Sequence, residues 1–270
     1  MNHQKMLSKK VAEKKKYSRE FWKNVCQFHP HSDAHVLNEA LSQIQSVKSP
    51  VLLLDLDSTL YEVSPRTFQI LQEWAQSHES LQFTAVRAAI AQMPLSQIGY
   101  SIEDTFAHLQ LSLSESSTRA ALESVKKYWS ARFFTNEYLQ YDRPYPGSYD
   151  FVRKAHEAGA EIVYLTGRDA PGMKQGTTRN LIRDQFPWEL SRTHLLMKPE
   201  AHLHDLEFKK AASQFVHQKG SLVASFENEP PNVVALYDLF PEAMHVFVDT
   251  VCSAHETEAC HGLYRLRSYL

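Results

Sequence analysis

The run Val51-Leu52-Leu53-Leu54-Asp55-Leu56-Asp57-Ser58-Thr59 constrains this chain more than any other stretch. Four consecutive apolar residues predict a strand buried on both faces, the kind found in parallel sheets. Two carboxylates one residue apart then fall where that strand runs out into a loop. Burying two like charges so close together is costly unless a cation or a reaction requires them. A divalent metal resolves the conflict and leaves the first Asp able to act as a nucleophile.

The rest of the chain supplies partners for such a strand. Apolar runs at 161–165, 194–197, 222–226 and 245–248 read as further strands, separated by stretches with helical spacing. Strands alternating with helices predict an α/β fold, a doubly wound parallel sheet covered on both sides, with ligands beyond the carboxyl ends of the strands. Residues 61–143 break the alternation. They contain almost no glycine, and Phe68, Leu71, Trp74 and Ala75 fall on one helical face, as do Leu122, Val125, Tyr128 and Trp129. This predicts an all-helical insertion whose aromatic residues form its own core. Residues 18–47 read as two helical pieces broken around His29-Pro30-His31. The expected organisation is therefore an N-terminal extension (1–48), a core (49–60 and 144–270) and the insertion (61–143). A chain of 270 residues accommodates this equally as one domain with an insertion or as two domains. After Pro144-Tyr145-Pro146-Gly147, Ser148 is expected to cap a helix ending at Gly159.

Composition narrows the function classes. A formal net charge of −2 gives no overall field to recruit nucleic acid or a membrane surface. No apolar run approaches the roughly 18 residues that span a bilayer. Lysines cluster through residues 5–16 with no apolar segment behind them, which argues against export and predicts a solvated arm. Three cysteines, Cys26, Cys252 and Cys260, make no disulfide framework and point to the reducing cytoplasm.

Chemistry-bearing residues gather at the expected strand ends. Asp55 and Asp57 follow the first strand, Thr166-Gly167-Arg168-Asp169 the second, and Glu227-Asn228-Glu229 the fourth; Phe208-Lys209-Lys210 opens a helix upstream of the last group. Carboxylates, a hydroxyl with backbone N–H groups and an ammonium would converge in one crevice. Phosphoryl transfer uses that inventory of nucleophile, metal and donors for the equatorial oxygens.

With these residues in order, the chain resembles the haloacid dehalogenase superfamily, chiefly its phosphatases. Asp55-Leu56-Asp57-Ser58-Thr59 is similar to the family's first motif, Tyr164-Leu165-Thr166-Gly167-Arg168 to the second, Lys209 to the third and Glu227 to the fourth, where an Asp is usual. The resemblance implies a Rossmann-like core with an inserted helical cap, and a role for each matched residue. Asp55 would attack phosphorus and form an aspartyl-phosphate; Asp57 would protonate the leaving oxygen and then activate water. Thr166 would bind a phosphoryl oxygen beside Gly167 and Arg168, Arg168 either touching substrate or bracing the loop with Asp169. Lys209 would neutralise charge there, with Lys198 and Lys210 as competitors for that place. Mg²⁺ would be held by Asp55, the backbone carbonyl of Asp57, and Glu227, Asn228 or Glu229 being possible helpers. The implied protein is a cytoplasmic, Mg²⁺-dependent phosphomonoesterase acting on a small phosphorylated metabolite or nucleotide, with no membrane and no nucleic-acid partner. The rivals are a phosphotransferase or nucleic-acid end phosphatase, and a catalytically silent binding protein.

Two other clusters look chemical. His29, His31 and His35 read better as a turn between helices than as a metal site. Cys252, His255, Cys260 and His261 lack a paired Cys-x-x-Cys and read as a free tail or plain packing after the last strand. No Gly-x-x-x-x-Gly-Lys loop is present, which disfavours a P-loop kinase.

Overall fold

The computed structural model describes residues 15–111 and 114–270; most of the lysine-rich stretch 5–16 lies outside them. Seven strands form one sheet: β1 (Gln27–Phe28), β2 (Pro50–Leu54), β3 (Glu161–Asp169), β4 (Thr193–Lys198), β5 (Ser221–Glu227), β6 (Met244–Val248) and β7 (His261–Leu266). Their spatial order is β1-β7-β6-β5-β2-β3-β4, and every neighbouring pair is parallel. All five residues of β2 are buried, so the Val51–Leu54 run sits mid-sheet, as its unbroken apolar character requires.

The pleat divides that run between two cores. Leu52 and Leu54 point into a cluster with α2 (Asp33–Ser46), α7 (Ser148–Glu157) and α8 (Ala170–Arg183). Val51 and Leu53 point into the opposite cluster with α10 (Ser213–Lys219) and α11 (Pro230–Leu239). α1 (Arg19–Val25) extends the packing at the β7 edge through the fully buried Trp22. α9 (Asp205–Ala211) covers the second face near β3. No helix among the described residues is long and apolar enough to cross a membrane.

Residues 61–143 are predominantly helical: α3 (Ser64–Gln76), α4 (Thr84–Gln92), α5 (Ile102–His108) and α6 (Glu115–Phe133), with short 3₁₀ turns. They enclose a separate apolar core around Leu71, Trp74, Ile90, Phe106 and Val125. The segment leaves and returns through a two-stranded antiparallel neck that pairs Tyr61 with Pro144 and Glu62 with Arg143.

Four local expectations change. Ser148 is the first helical residue of α7 and does not cap it. The residue before it is Gly147, at φ +85° in the left-handed region, while the Ser148 hydroxyl donates to the Leu60 carbonyl at 3.2 Å. β3 continues through Thr166-Gly167-Arg168 to Asp169, with a register shift against β4, so the expected loop is strand. The C-terminal stretch is neither a free tail nor plain packing, because 261–266 forms β7. Gly262 and Arg265 had obscured its apolar pattern. Finally, α9 begins at Asp205, which places Lys209 in its second turn rather than at its start.

Candidate active site

Asp55 leaves β2 still tied to the sheet, its backbone N–H donating to the Phe226 carbonyl of β5 at 3.1 Å. The chain then reverses tightly. Ser58 takes φ +59°, and the N–H groups of Thr59, Leu60 and Tyr61 all turn back onto the Leu56 carbonyl. This turn presents the side chains of Asp55 and Asp57 to a cavity of about 770 Å³. One wall of the cavity is the strand ends, with Gly167, Lys209 and Glu227; the other is the helical insertion.

Lys209 is the ammonium that reaches Asp55. It is buried and donates to Asp55 Oδ1 at 2.8 Å and to Glu227 Oε2 at 2.7 Å, with Asp205 at 3.6 Å. Lys198 lines the cavity and donates to the Ala201 carbonyl, while Lys210 is exposed. Two carboxylates thus share one cation. Burial, opposed by Lys209 and reinforced by the nearby Glu227, pushes the Asp55 carboxyl up to about 8. Burial likewise raises Glu227, against the pull of Lys209. Lys209 shifts well above its ordinary value, because Asp55, Glu227 and Asp205 outweigh its own burial.

Asp57 has different company. Arg168 donates to its Oδ2 at 2.9 Å and its Oδ1 at 2.8 Å, and Arg66 donates to Oδ1 at 2.8 Å. Both guanidiniums also bind the fully buried Asp142, at 2.6 to 2.8 Å. Burial would raise Asp57, but the two arginines prevail and hold it below the usual carboxylate range. Arg66 and Asp142 were not legible in the sequence: neither sits in a motif, and they lie 76 residues apart at opposite ends of the insertion. Arg168 is buried, bonded to Asp57, Asp142 and Thr177, and does not line the cavity. Thr166 is fully buried behind Gly167, and its hydroxyl accepts from the Arg168 N–H at 3.3 Å.

Gly167 permits a close approach, since a Cβ there would sit 2.2 Å from Asp205 Oδ1. Asn228 bridges two loops, accepting from Thr59 Oγ1 at 3.1 Å and donating to the Val251 carbonyl at 2.7 Å. The Glu229 carboxylate accepts from the Ser253 N–H at 3.0 Å and its hydroxyl at 2.6 Å. Asp169 caps α8 through the Gly172 N–H at 2.9 Å. The histidines at 29, 31 and 35 stack on one another and on Tyr264, and Cys260 N–H faces Cys26 Sγ at 3.3 Å.

Among the described residues no group of three or more His, Cys, Asp or Glu side chains stands ready to hold a metal. The donor set nevertheless fits a hard divalent cation bound by two carboxylates and a carbonyl. Asp55 and Glu227 together exceed the single charge of Lys209. Asp205 Oδ1 is buried without a hydrogen-bond partner beside them. Added positive charge would relieve both conditions.

A model of the haloacid dehalogenase-like hydrolases matches residues 50–215, more than half of the chain. The chain belongs to that family and is a hydrolase of the haloacid dehalogenase-like type. No protein of curated function matches it. Similar solved structures include a candidate phosphatase from Clostridium difficile, 12% identical, covering 74% of this chain and 84% of that one at a TM-score of 0.47. A haloacid dehalogenase-like hydrolase from Streptococcus pneumoniae is 15% identical over 73% and 83% of the two chains, with a TM-score of 0.42. Protein Tyrosine Kinase A from Mycobacterium tuberculosis is 12% identical over 80% and 94%, with a TM-score of 0.45.

Proposed function

We propose that this chain is a Mg²⁺-dependent phosphatase that hydrolyses a small phosphate monoester through an aspartyl-phosphate on Asp55. The observation that carries this reading is the triad of Asp55, Lys209 and Glu227 at the carboxyl ends of β2 and β5, opening onto the cavity beside Asp57. Asp55, the Asp57 backbone carbonyl and Glu227 would hold the cation, which when bound supplies positive charge for the carboxylates and the phosphoryl oxygens.

The protein's own groups account for the remaining steps. An Asp55 oxygen attacks phosphorus as the bond to the ester oxygen breaks. Lys209 keeps Asp55 oriented and offsets charge on the transferring group. Asp57 delivers a proton to the leaving oxygen and later takes one from the water that cleaves the acyl phosphate, releasing inorganic phosphate. In the closed cluster Asp57 is ionised, so to act as the acid it must first give up a guanidinium contact and take a proton from solvent, which it then passes to the leaving oxygen. Gly167 lines the cavity there, with Thr166 buried behind it and Arg168 acting through Asp57. Residues 61–143 serve as a cap that excludes water and selects substrate.

The test is hydrolysis of a generic aryl phosphate by the full chain. Release of phosphate should require Mg²⁺ and stop on chelation with EDTA. Turnover that continues after exhaustive chelation would remove the assignment.

A further inference from the structure

The cavity wall built by the insertion carries an aromatic cluster, and among the described residues it adds no Lys or Arg to the lining. Near the end of α6, Trp129 and Phe133 stack with centroids 4.4 Å apart, and Phe134 meets them edge-on at 5.5 and 5.0 Å. Trp129 is held in place by its ring N–H, which donates to Thr67 Oγ1 at 3.1 Å. Phe134 is 50% exposed and Tyr100 44% exposed, although both line the cavity. Aromatic faces fixed at the mouth of a cavity are contact surfaces for another flat, apolar group.

The charges around that surface are lopsided. Among the described residues the lining holds Glu62, Asp205 and Glu229 besides Asp55, Asp57 and Glu227, together with Lys198 and Lys209; of the six carboxylates, Asp57 is matched by Arg66 and Arg168. Lys209 is committed to Asp55 and Glu227. Two arginines beside the aromatic wall stay out of the lining: Arg66 faces Asp57 and Asp142, and Arg132 lies over the Tyr128 ring at 3.4 Å and donates to the Tyr128 carbonyl. Lys198, whose ammonium meets only the Ala201 carbonyl, is the lining lysine not committed to a carboxylate; a second anionic group placed anywhere else along the lining would face Glu62, Asp205 or Glu229, which is costly in a confined site.

We infer that the cavity selects phosphate monoesters that carry a single anionic group and an aromatic organic part, either uncharged or cationic. The inference rests on the phosphatase reading only for the phosphate; the aromatic and charge preferences come from the insertion wall. Bisphosphates, nucleoside diphosphates and esters that also bear a carboxylate are excluded by the same carboxylates. An aromatic ring seated against Trp129 is expected to gain about tenfold or more in affinity over an aliphatic one.

Calorimetric binding to the full-length Asp55→Asn protein in Mg²⁺ tests this without turnover. Phenyl phosphate should bind at least about tenfold more tightly than glycerol phosphate, with phosphoglycolate and fructose 1,6-bisphosphate weakest. In the same background Trp129→Ala should bring the phenyl-to-glycerol ratio close to one. Phe134→Ala, at a position 50% exposed, should reduce it, with circular dichroism unchanged. The inference is overturned if a bisphosphate or carboxylate ester binds as tightly as phenyl phosphate, if neither substitution changes the ratio, or if no ester binds. Wild-type hydrolysis of the same esters tests the phosphatase reading separately: a binding ratio that persists without turnover removes that reading and leaves the selectivity standing.

Discussion

Asp55 and Asp57 are two residues apart and live in opposite electrostatic regimes. Around Asp55, two buried carboxylates share one ammonium, with Asp205 close by, so negative charge is in excess. Around Asp57, two carboxylates meet two guanidiniums, and every partner lies within 2.9 Å. The first cluster is left with more carboxylate than ammonium, an excess that added positive charge would offset. The second is closed, and it joins the insertion, through Arg66 and Asp142, to the sheet, through Arg168. Similar residue types in similar burial thus serve different ends, decided by whether the charges balance. A balanced buried cluster fixes geometry more than it adds net stability, since desolvation offsets most of its attraction.

The largest effect should follow from breaking the unbalanced cluster at its reactive member. Asp55→Asn keeps the shape of the side chain and removes the nucleophile, so steady-state hydrolysis should fall below detection while circular dichroism stays unchanged. A variant with near-normal turnover would place the chemistry elsewhere in the cavity.

Breaking the balanced cluster should act on the fold instead. Asp142→Asn leaves Arg66 and Arg168 facing only Asp57 in a buried setting, where loss of one ionic partner costs roughly 3–5 kcal/mol. For a chain of this size that is a fall in Tm of about 10 °C by scanning calorimetry. An unchanged Tm would mean the cluster contributes no more than a surface ion pair. Replacing 61–143 by a short linker would remove both Arg66 and Asp142, so that experiment perturbs Asp57 as well as the insertion.

The two clusters were not equally legible in the sequence. Asp55 and Glu227 each follow an apolar run that reads as a strand, so their convergence could be read from topology; Lys209 was chosen over Lys198 and Lys210 by its resemblance to the family's third motif. Arg66 and Asp142 carry no such signal. Their meeting depends on a neck pairing only two residues per side, which no propensity reports. The central strand was legible because it is apolar on both faces, whereas β1 and β7 were not. Gln27–Phe28 is too short to show alternation, and β7 pairs a glycine at positive φ with an exposed histidine. Trp129 was expected in the insertion core; it packs there and lines the cavity too, because one ring has two faces to bury.

Acidity should sharpen the comparison in the metal-stripped protein. Asp55 has its carboxyl at about 8 when folded, above the roughly 4 of an unfolded Asp. The folded state therefore holds the extra proton between those values, and stability should fall as pH rises from about 4 to about 8. Urea midpoints in EDTA should show this slope, Asp55→Asn should flatten it, and saturating Mg²⁺ should raise the midpoint at the alkaline end. A midpoint that rises with pH in EDTA would contradict the charge excess at Asp55.

The smallest expected effect comes from a third arrangement, in which cations are in excess. Asp249, just after β6, is bonded by Lys23 of α1 and by Arg265 of β7, so one carboxylate ties the N-terminal extension and a late strand to the sheet. Burial alone would raise it, but the two cations hold it below its ordinary value. The sign is opposite to that of Asp55. Its contribution is fully present above about 4, the unfolded value, and is lost as pH falls through the lower folded value. Asp249→Asn should therefore lower the urea midpoint modestly at pH 7, by the order of 1 kcal/mol for a partly exposed network. The gap between variant and wild type should close as pH falls below 4. Hydrogen exchange should show the loss first in α1 and β7, where the two bonds end. A gap that widens with acid, or protection lost first in the insertion, would show that Asp249 does not anchor the extension.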